Sequence, residues 1–336
     1  GRLGSGRIID HLQPKKVLLY GVIFSIITIA LYFTITSLWI LMLIRFIHGI
    51  AFGFSSTATG TISSRIIPEN RKGEGIGYYG LSVTLASAIG PFIGLVFNNH
   101  LGFKSIFAIS LLSILIAFVL SIFIKRLPVL NHNLEAKDQP SGMHAYLQKE
   151  ALPISLVVIL IGVAYSSVLS FLSIYSEKIN LVTTSSFFFI VFAIVTFITR
   201  PFTGKIYDNY GENKVMYPVL LSFTFGLIIL GFTHTSIILL IAAAFIGFGY
   251  GTIVPTAQAI AIQQSPANKM GLATSTFYIF ADFGAGMGPF ILGIIIPFIG
   301  YRQLYMAMGM LVIIALILYY YVHGRMHKNP FNKREY

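Results

Sequence analysis

Ten stretches of this sequence are each about the length of a membrane crossing and nearly free of charge, which leaves the chain few ways to fold. They lie near 17–35, 38–62, 75–97, 104–124, 152–175, 184–203, 215–233, 236–262, 271–298 and 303–323. The hydrocarbon core of a bilayer is crossed by about 20 apolar residues in α-helix. Charged residues make up 10% of the chain and hydrophobic ones 56%, against roughly one-quarter charged in a soluble domain. The expected fold class is therefore an all-α polytopic membrane protein with ten transmembrane helices, in contact with lipid along most of its length.

The basic residues test that count, because Lys and Arg concentrate on the cytoplasmic side of short membrane loops. Of the 23 Lys and Arg, nineteen fall in alternate segments: the start, 63–74, 125–151, 200–214, 263–270 and the tail from 324. Lys104, Lys178 and Arg302 are the three in the other set, and Arg45 lies inside a stretch. The opening segment, the 127–151 linker and the C-terminus are expected on the cytoplasmic side of the cell membrane. The net charge of +12 comes in short clusters, not in one stripe, so nucleic acid is not the expected partner. Cysteine is absent, which excludes disulfides and thiolate metal sites.

The polar segment from Leu127 to Glu150, with Pro128, Asn131, Asp138, Pro140 and Gly142, reads as a linker between bundles at 1–126 and 152–323, with a tail at 324–336. A shift of 198 residues superposes the two. Arg2-x3-Gly6-x3-Asp10-x5-Lys16 falls on Arg200-x3-Gly204-x3-Asp208-x5-Lys214, and Gly49 and Gly53 fall on Gly247 and Gly251. Pro68 to Gly73 falls on Pro266 to Gly271, and Gly90-Pro91 on Gly288-Pro289. A sustained offset marks an internal repeat. The stretch at 152–175 finds no partner within the chain, so the repeat predicts six helices in each half, with one helix and most of a second upstream of Gly1. Parallel repeats of this kind place a substrate site near the midplane between the halves.

The segment Gly6-Arg7-Ile8-Ile9-Asp10-His11-Leu12-Gln13-Pro14-Lys15-Lys16 resembles the loop signature of the major facilitator superfamily, with His11 where Arg or Lys is usual and Gln13 where Gly is usual. Leu43 to Gly49 resembles the fourth-helix motif of that family, with Arg45 standing where the motif has its buried Arg. Gly77, Ala86, Gly90, Pro91 and Gly94 resemble its fifth-helix motif of drug/proton antiporters, with Ala86 and Leu95 in place of two glycines. The resemblance implies two six-helix bundles and secondary transport. It also implies that Asp10 and Asp208, beside Lys15, Lys16, Arg200 and Lys214, hold an inner gate against a neighbouring helix N-terminus. Read without it, both carboxylates serve equally well as helix caps beside topological anchors.

Two charges break the repeat inside helices, since Arg45 maps to Ala243 and Asp282 to Thr84. A charge at mid-membrane costs about 2.5 to 3.5 kcal/mol even on a lenient scale, so neither is expected to face lipid. Asp282, about 18 Å into its helix, reads either as a proton or cation site with its pKa raised by apolar walls, or as a permanently paired structural group. Arg45 reads as a tuning cation for a carboxyl or as a bond to helix-end carbonyls, and His48, one turn away, as a titrating or a structural histidine. The breakers Gly90-Pro91, Pro255 and Gly288-Pro289 suit bending helices, and equally close packing.

The family resemblance puts the substrate cavity on 152–175 and 236–262, with Tyr165, Ser166, Phe171, Tyr250, Thr252, Thr256 and Gln258 as its polar and aromatic groups. Such a lining suits amphipathic molecules or lipophilic cations. No nucleophile, phosphate loop or metal-ligand spacing is present, so neither an enzyme nor a cofactor is expected. The expected function is proton-coupled export of small amphipathic solutes by a monomer. A dedicated carrier of a siderophore or sugar is the alternative, and a non-transporting sensor stands third.

Overall fold

A computed structural model describes residues 1–125, 127 and 146–325. Most of the expected linker and the tail from 326 lie outside the described residues. All regular structure among those described is helical. The helices are α1 (Arg2–His11), α2 (Pro14–Leu31), α3 (Leu38–Ile66), α4 (Lys72–Leu101), α5 (Phe103–Phe123), α6 (Leu152–Lys178), α7 (Val182–Tyr210), α8 (Asn213–Gly231), α9 (Ser236–Gln263) and α10 (Met270–Tyr319). Local chemistry sets several starts. Proline opens α2 and α6, where a missing N–H costs nothing, and the Thr235 side chain accepts from Ile238 N at 3.4 Å ahead of α9.

The ten apolar stretches fall on α2 to α9 and on two arms of α10. Among the described residues eight helical stretches are long and apolar enough to cross a membrane, the last being Ala267–Gly324 with 58 residues. At 1.5 Å per residue that stretch would run about 87 Å, nearly three bilayer cores. It is divided at Gly300, whose φ of 77° and ψ of 171° a side chain with a Cβ rarely adopts.

The repeat is carried by the backbone. Gly102, the counterpart of Gly300, has φ 81° and ψ 170° and separates α4 from α5. Short 3₁₀ turns, Glu69–Arg71 and Ala267–Lys269, precede α4 and α10, each after a proline with nearly the same angles (φ −59°, ψ 147° at Pro68; φ −56°, ψ 143° at Pro266). The halves differ at the loops that precede α2 and α8. Gly211 ends α7 at φ 86°, whereas its counterpart Gln13 sits at φ −62° and ψ 120°.

Two compact units emerge, and each draws on both halves of the sequence. One comprises 1–66, 89–150 and 265–278, the other 67–88, 151–264 and 279–336. In the first, Ile9, Val17, Leu18, Val22, Ala58 and Ile62 form a core against Ile114 and Phe118 of α5. In the second, Ile161, Leu220, Phe223 and Ile246 are fully buried. Large apolar side chains elsewhere stand bare, with Trp39, Phe123 and Phe298 exposed by 81, 78 and 84%. Water would not tolerate so much apolar surface, and lipid does.

Between helices the second unit relies on small residues, since lipid gives apolar helices no hydrophobic reason to associate and close van der Waals packing takes over. A Cβ on Gly249 would lie 2.6 Å from Phe223 N, and one on Gly284 would lie 3.0 Å from Ile159 Cα. Gly293 has no such neighbour within 4 Å. Gly284→Ala is therefore expected to lower the melting temperature in detergent by prising α10 from α6. Gly293→Ala should leave it unchanged or raise it, because Gly in a helix is about 1 kcal/mol worse than Ala. Equal responses in thermal unfolding followed by circular dichroism would refute the tight seam.

Candidate functional site

One face of α7 runs along the start of α4 within the second unit. Residues 200, 204, 207 and 208 share that face at helical spacing. Asp208 accepts from the amides of Gly73 (2.7 Å) and Glu74 (2.9 Å), two of the donors that the first turn of α4 leaves without an intrahelical partner. A carboxylate there also meets the positive end of the helix dipole. One turn back, a Cβ on Gly204 would lie 2.6 Å from Glu74 Cα. A methyl group on Gly73 would overlap the Tyr207 ring. Farther along, Gly77 and Gly80 face the Arg200 side chain, whose carbons and guanidinium would lie 3.4 and 3.7 Å from their Cβ positions.

The repeat places a related contact in the first unit, between α1 and the first turns of α10. Gly6 lies against Ser275, the counterpart of Gly77, and the Ser275 hydroxyl donates to Arg2 O at 2.6 Å. The Arg2 guanidinium sits 4.3 Å from the ring centre of Tyr278, the counterpart of Gly80. Asp10 lies in α1, its side chain outside the described residues. Lys15 donates to Ile122 O at 2.6 Å, a cation at the negative end of α5. Lys16 and Lys214 are exposed.

The first arm of α10 has three faces, at about 100° per residue. Ala281, Gly284, Ala285 and Gly288 pack on Ile159, Gly162, Val163 and Ser166 of α6. Phe283, Met287, Phe290, Ile294 and Phe298 form a bare apolar stripe. Between these lie Asp282, Gly286, Pro289 and Gly293. Asp282 is exposed on that third face, and no group comes within 4 Å of where a Cβ on Gly286 or Gly293 would be. Among the described residues Asp282 is exposed on this side, where the expectation is enclosing apolar walls. The carboxylate is set apart from the apolar stripe, and its charge reaches Tyr250 of α9. Tyr250 stacks on Tyr165 of α6 with ring centres 3.5 Å apart and planes 11° from parallel. Phe192 and Phe223 flank that pair at 5.8 and 5.7 Å.

The other expected cavity residues disperse. Ser166 donates to Val163 O at 2.7 Å and faces Gly288, which makes it a packing residue of the α6–α10 seam. Thr252, Thr256 and Gln258 are buried within the bundle, and the Thr252 hydroxyl has no hydrogen-bond partner among the described residues. Phe171 belongs to a separate aromatic group, 6.4 Å from the Tyr301 ring, with Tyr175 and Tyr305 nearby.

In the first unit Arg45 is exposed on α3, within electrostatic reach of Tyr32 and His48. His48 Nδ1 is hydrogen-bonded to Tyr32 Oη at 3.2 Å, and Tyr32 stacks on Phe107 at 5.1 Å. That arrangement makes His48 part of an aromatic cluster. Among the described residues no group comes within 4 Å of a Cβ placed on Gly90 or Gly94, and the Pro91 side chain lies outside the described set. No group of three His, Asp or Glu among the described residues is gathered for a metal ion.

Sequence reasoning passed over Gly73, Gly80 and Tyr207. The signal was there, in glycines at 73, 77 and 80, a small-residue stripe one helical face wide. It also missed a buried polar clasp at the end of α10, where His323 bonds Glu212 at 3.0 Å and Gln264 at 2.9 Å.

A family model described as Major Facilitator Superfamily matches residues 1–236 and again 154–335. The chain belongs to the major facilitator superfamily. It is a multi-pass membrane transporter. Multidrug resistance protein MdtG of Dickeya zeae is 24% identical over 318 residues, covering 92% of this chain and 77% of that protein. MdtG of Klebsiella pneumoniae is 24% identical over 323 residues, 93% of this chain and 77% of its own. Among solved structures, the human organic anion transporter MFSD10 is similar with a TM-score of 0.80, at 16% identity over 94% of this chain and 79% of that one. The E. coli fucose:proton symporter FucP follows with a TM-score of 0.72, at 16% identity over 96% of this chain and 87% of that one. These two likenesses show the superfamily fold.

Asp208→Ala would remove both acceptors from the start of α4. Losing such a cap costs about 1 kcal/mol, so amide exchange at Gly73 and Glu74 is expected to quicken roughly fivefold while that of α8 stays unchanged. Hydrogen-exchange mass spectrometry reads this directly, and unchanged protection at the two amides would show that the carboxylate does not hold the helix.

Proposed function

We propose that this transporter exports small amphipathic solutes, lipophilic cations among them, in exchange for protons by alternating access, with Asp282 as the coupling carboxyl. The observation that carries the reading is the position of Asp282: deep in α10, on a face distinct from its apolar stripe, and within electrostatic reach of Tyr250. A bare carboxylate facing hydrocarbon would cost about 2.5 to 3.5 kcal/mol. A water-filled path lined by Tyr250 would hold it at lower cost, and there the carboxylate could accept either a proton or a cation. The stacked Tyr165–Tyr250 pair adds the negative ring faces that attract lipophilic cations. The name shared by the MdtG relatives favours the same substrate class.

The remaining parts follow from the fold. Asp208 on the amides of α4, with Asp10 at its repeat position, forms the inner gate, and the ends carrying them face the cytoplasm with the linker and tail. Arg45, permanently charged, tunes the titration of carboxyl groups along the path, with His48 held beside it by Tyr32. Gly90-Pro91 and Gly288-Pro289 supply the bends that opening needs. The transporter works as a monomer in the lipid bilayer.

The test uses the protein in proteoliposomes with an imposed pH gradient and tetraphenylphosphonium as the probe. Adding the cation should release protons in the wild type and not in Asp282→Asn. Release that persists at the wild-type rate in the variant would remove Asp282 from coupling, and no release in either protein would overturn cation efflux.

A further inference from the structure

Pro255 lies inside α9 and has no N–H, so the carbonyl four residues earlier, that of Gly251, loses its intrahelical donor. In a membrane-spanning helix such a carbonyl needs another partner. Arg200 of α7 provides it, for Nη2 donates to Gly251 O. The Arg200 side chain is only 3% exposed. One turn away, Thr196 donates to Gly247 O at 2.8 Å, so two residues of α7 a turn apart serve two successive turns of α9.

Three helices meet at this point. The other side of the Arg200 side chain lies against Gly77 and Gly80 of α4, and a Cβ on Gly80 would lie 2.8 Å from Pro255 Cβ. Tyr250, whose ring stacks on Tyr165, immediately precedes Gly251. The repeat supplies an internal control. Position 57, the counterpart of Pro255, is Thr, which keeps the N–H that a helix offers to the carbonyl of Gly53. Arg2, the counterpart of Arg200, donates instead to the side chains of Ser56 (3.0 Å) and Thr57 (3.3 Å). In the half where a proline has opened the helix, the arginine at this repeat position reaches the backbone.

We infer that Arg200 is a positioning residue that clasps α9 at Pro255 and forms the seat for α4. The clasp ties the gating contact made by Asp208, two turns along the same face of α7, to the placement of Tyr250 in the transport path. When α4 leaves, Arg200 loses one wall but keeps Gly251, so the clasp persists while the gate opens.

The test is a double-mutant cycle between Arg200→Gln and Pro255→Ala, because alanine at 255 restores the N–H that Gly251 lacks. Melting temperature in detergent is the first readout and needs no substrate. The second, tetraphenylphosphonium-driven proton release, rests on the efflux reading. Arg200→Gln is expected to lower the melting temperature by several degrees and slow release about tenfold in the Pro255 background, the scale of an unmet buried carbonyl. In the Pro255→Ala background both losses should fall to less than half, and Arg200→Lys, which keeps the charge and an N–H donor on a shorter reach, should lie between. Equal losses in both backgrounds would overturn the clasp. If Arg200→Gln does not fold, the same cycle with Arg200→Lys gives the same discrimination. An intact melting cycle without proton release by any variant would sink the efflux reading and leave the clasp standing.

Discussion

In hydrocarbon a backbone carbonyl or amide without a partner has no water to turn to, and each one left bare costs several kcal/mol. Most features of this transporter answer that constraint. All regular structure among the described residues is helical, because helices satisfy their own backbone. The exceptions are the ends and the prolines, and three charged side chains stand there. Asp208 meets the bare amides at the start of α4, Lys15 meets a carbonyl at the end of α5, and Arg200 meets the carbonyl that Pro255 uncovers. Polar side chains in this molecule mend the backbone before they do anything else.

That division of labour explains why the two halves look alike in some places and differ in others. Gly102 and Gly300, or the prolines ahead of α4 and α10, keep the same backbone angles because the chain path is the same. Side chains diverge where the local debt differs. Ser275 and Tyr278 stand where Gly77 and Gly80 stand in the other half, and Arg2 is surrounded by hydroxyls and an aromatic ring where Arg200 meets a carbonyl and glycines. The charges that carry the proposed chemistry, Arg45 and Asp282, have no counterpart at all.

Span length and charge-free runs made the membrane-spanning helices legible, since hydropathy over about 20 residues depends on no tertiary contact. The constant offset of 198 residues made the repeat legible and singled out Asp208, which the structure sets on two amides. Contacts across helices were less legible. Ser166, Thr252 and Gln258 were plausible cavity residues by type, yet the rotation of α6 and α9 turns them into the bundle, and rotation depends on which small residues seat which neighbours. Asp282 could be placed at its depth from counting alone. Its direction required knowing that Gly284 and Gly288 pack on α6.

The left-handed corners at Gly102 and Gly300 have a mechanical meaning. Each joins two membrane-length helices through a single residue, and no loop stands between the arms to absorb displacement. Such a joint has no slack. A displacement of the end of α4, or of the first arm of α10, at its glycine corner carries the start of the following helix with it, because the joint is one residue long.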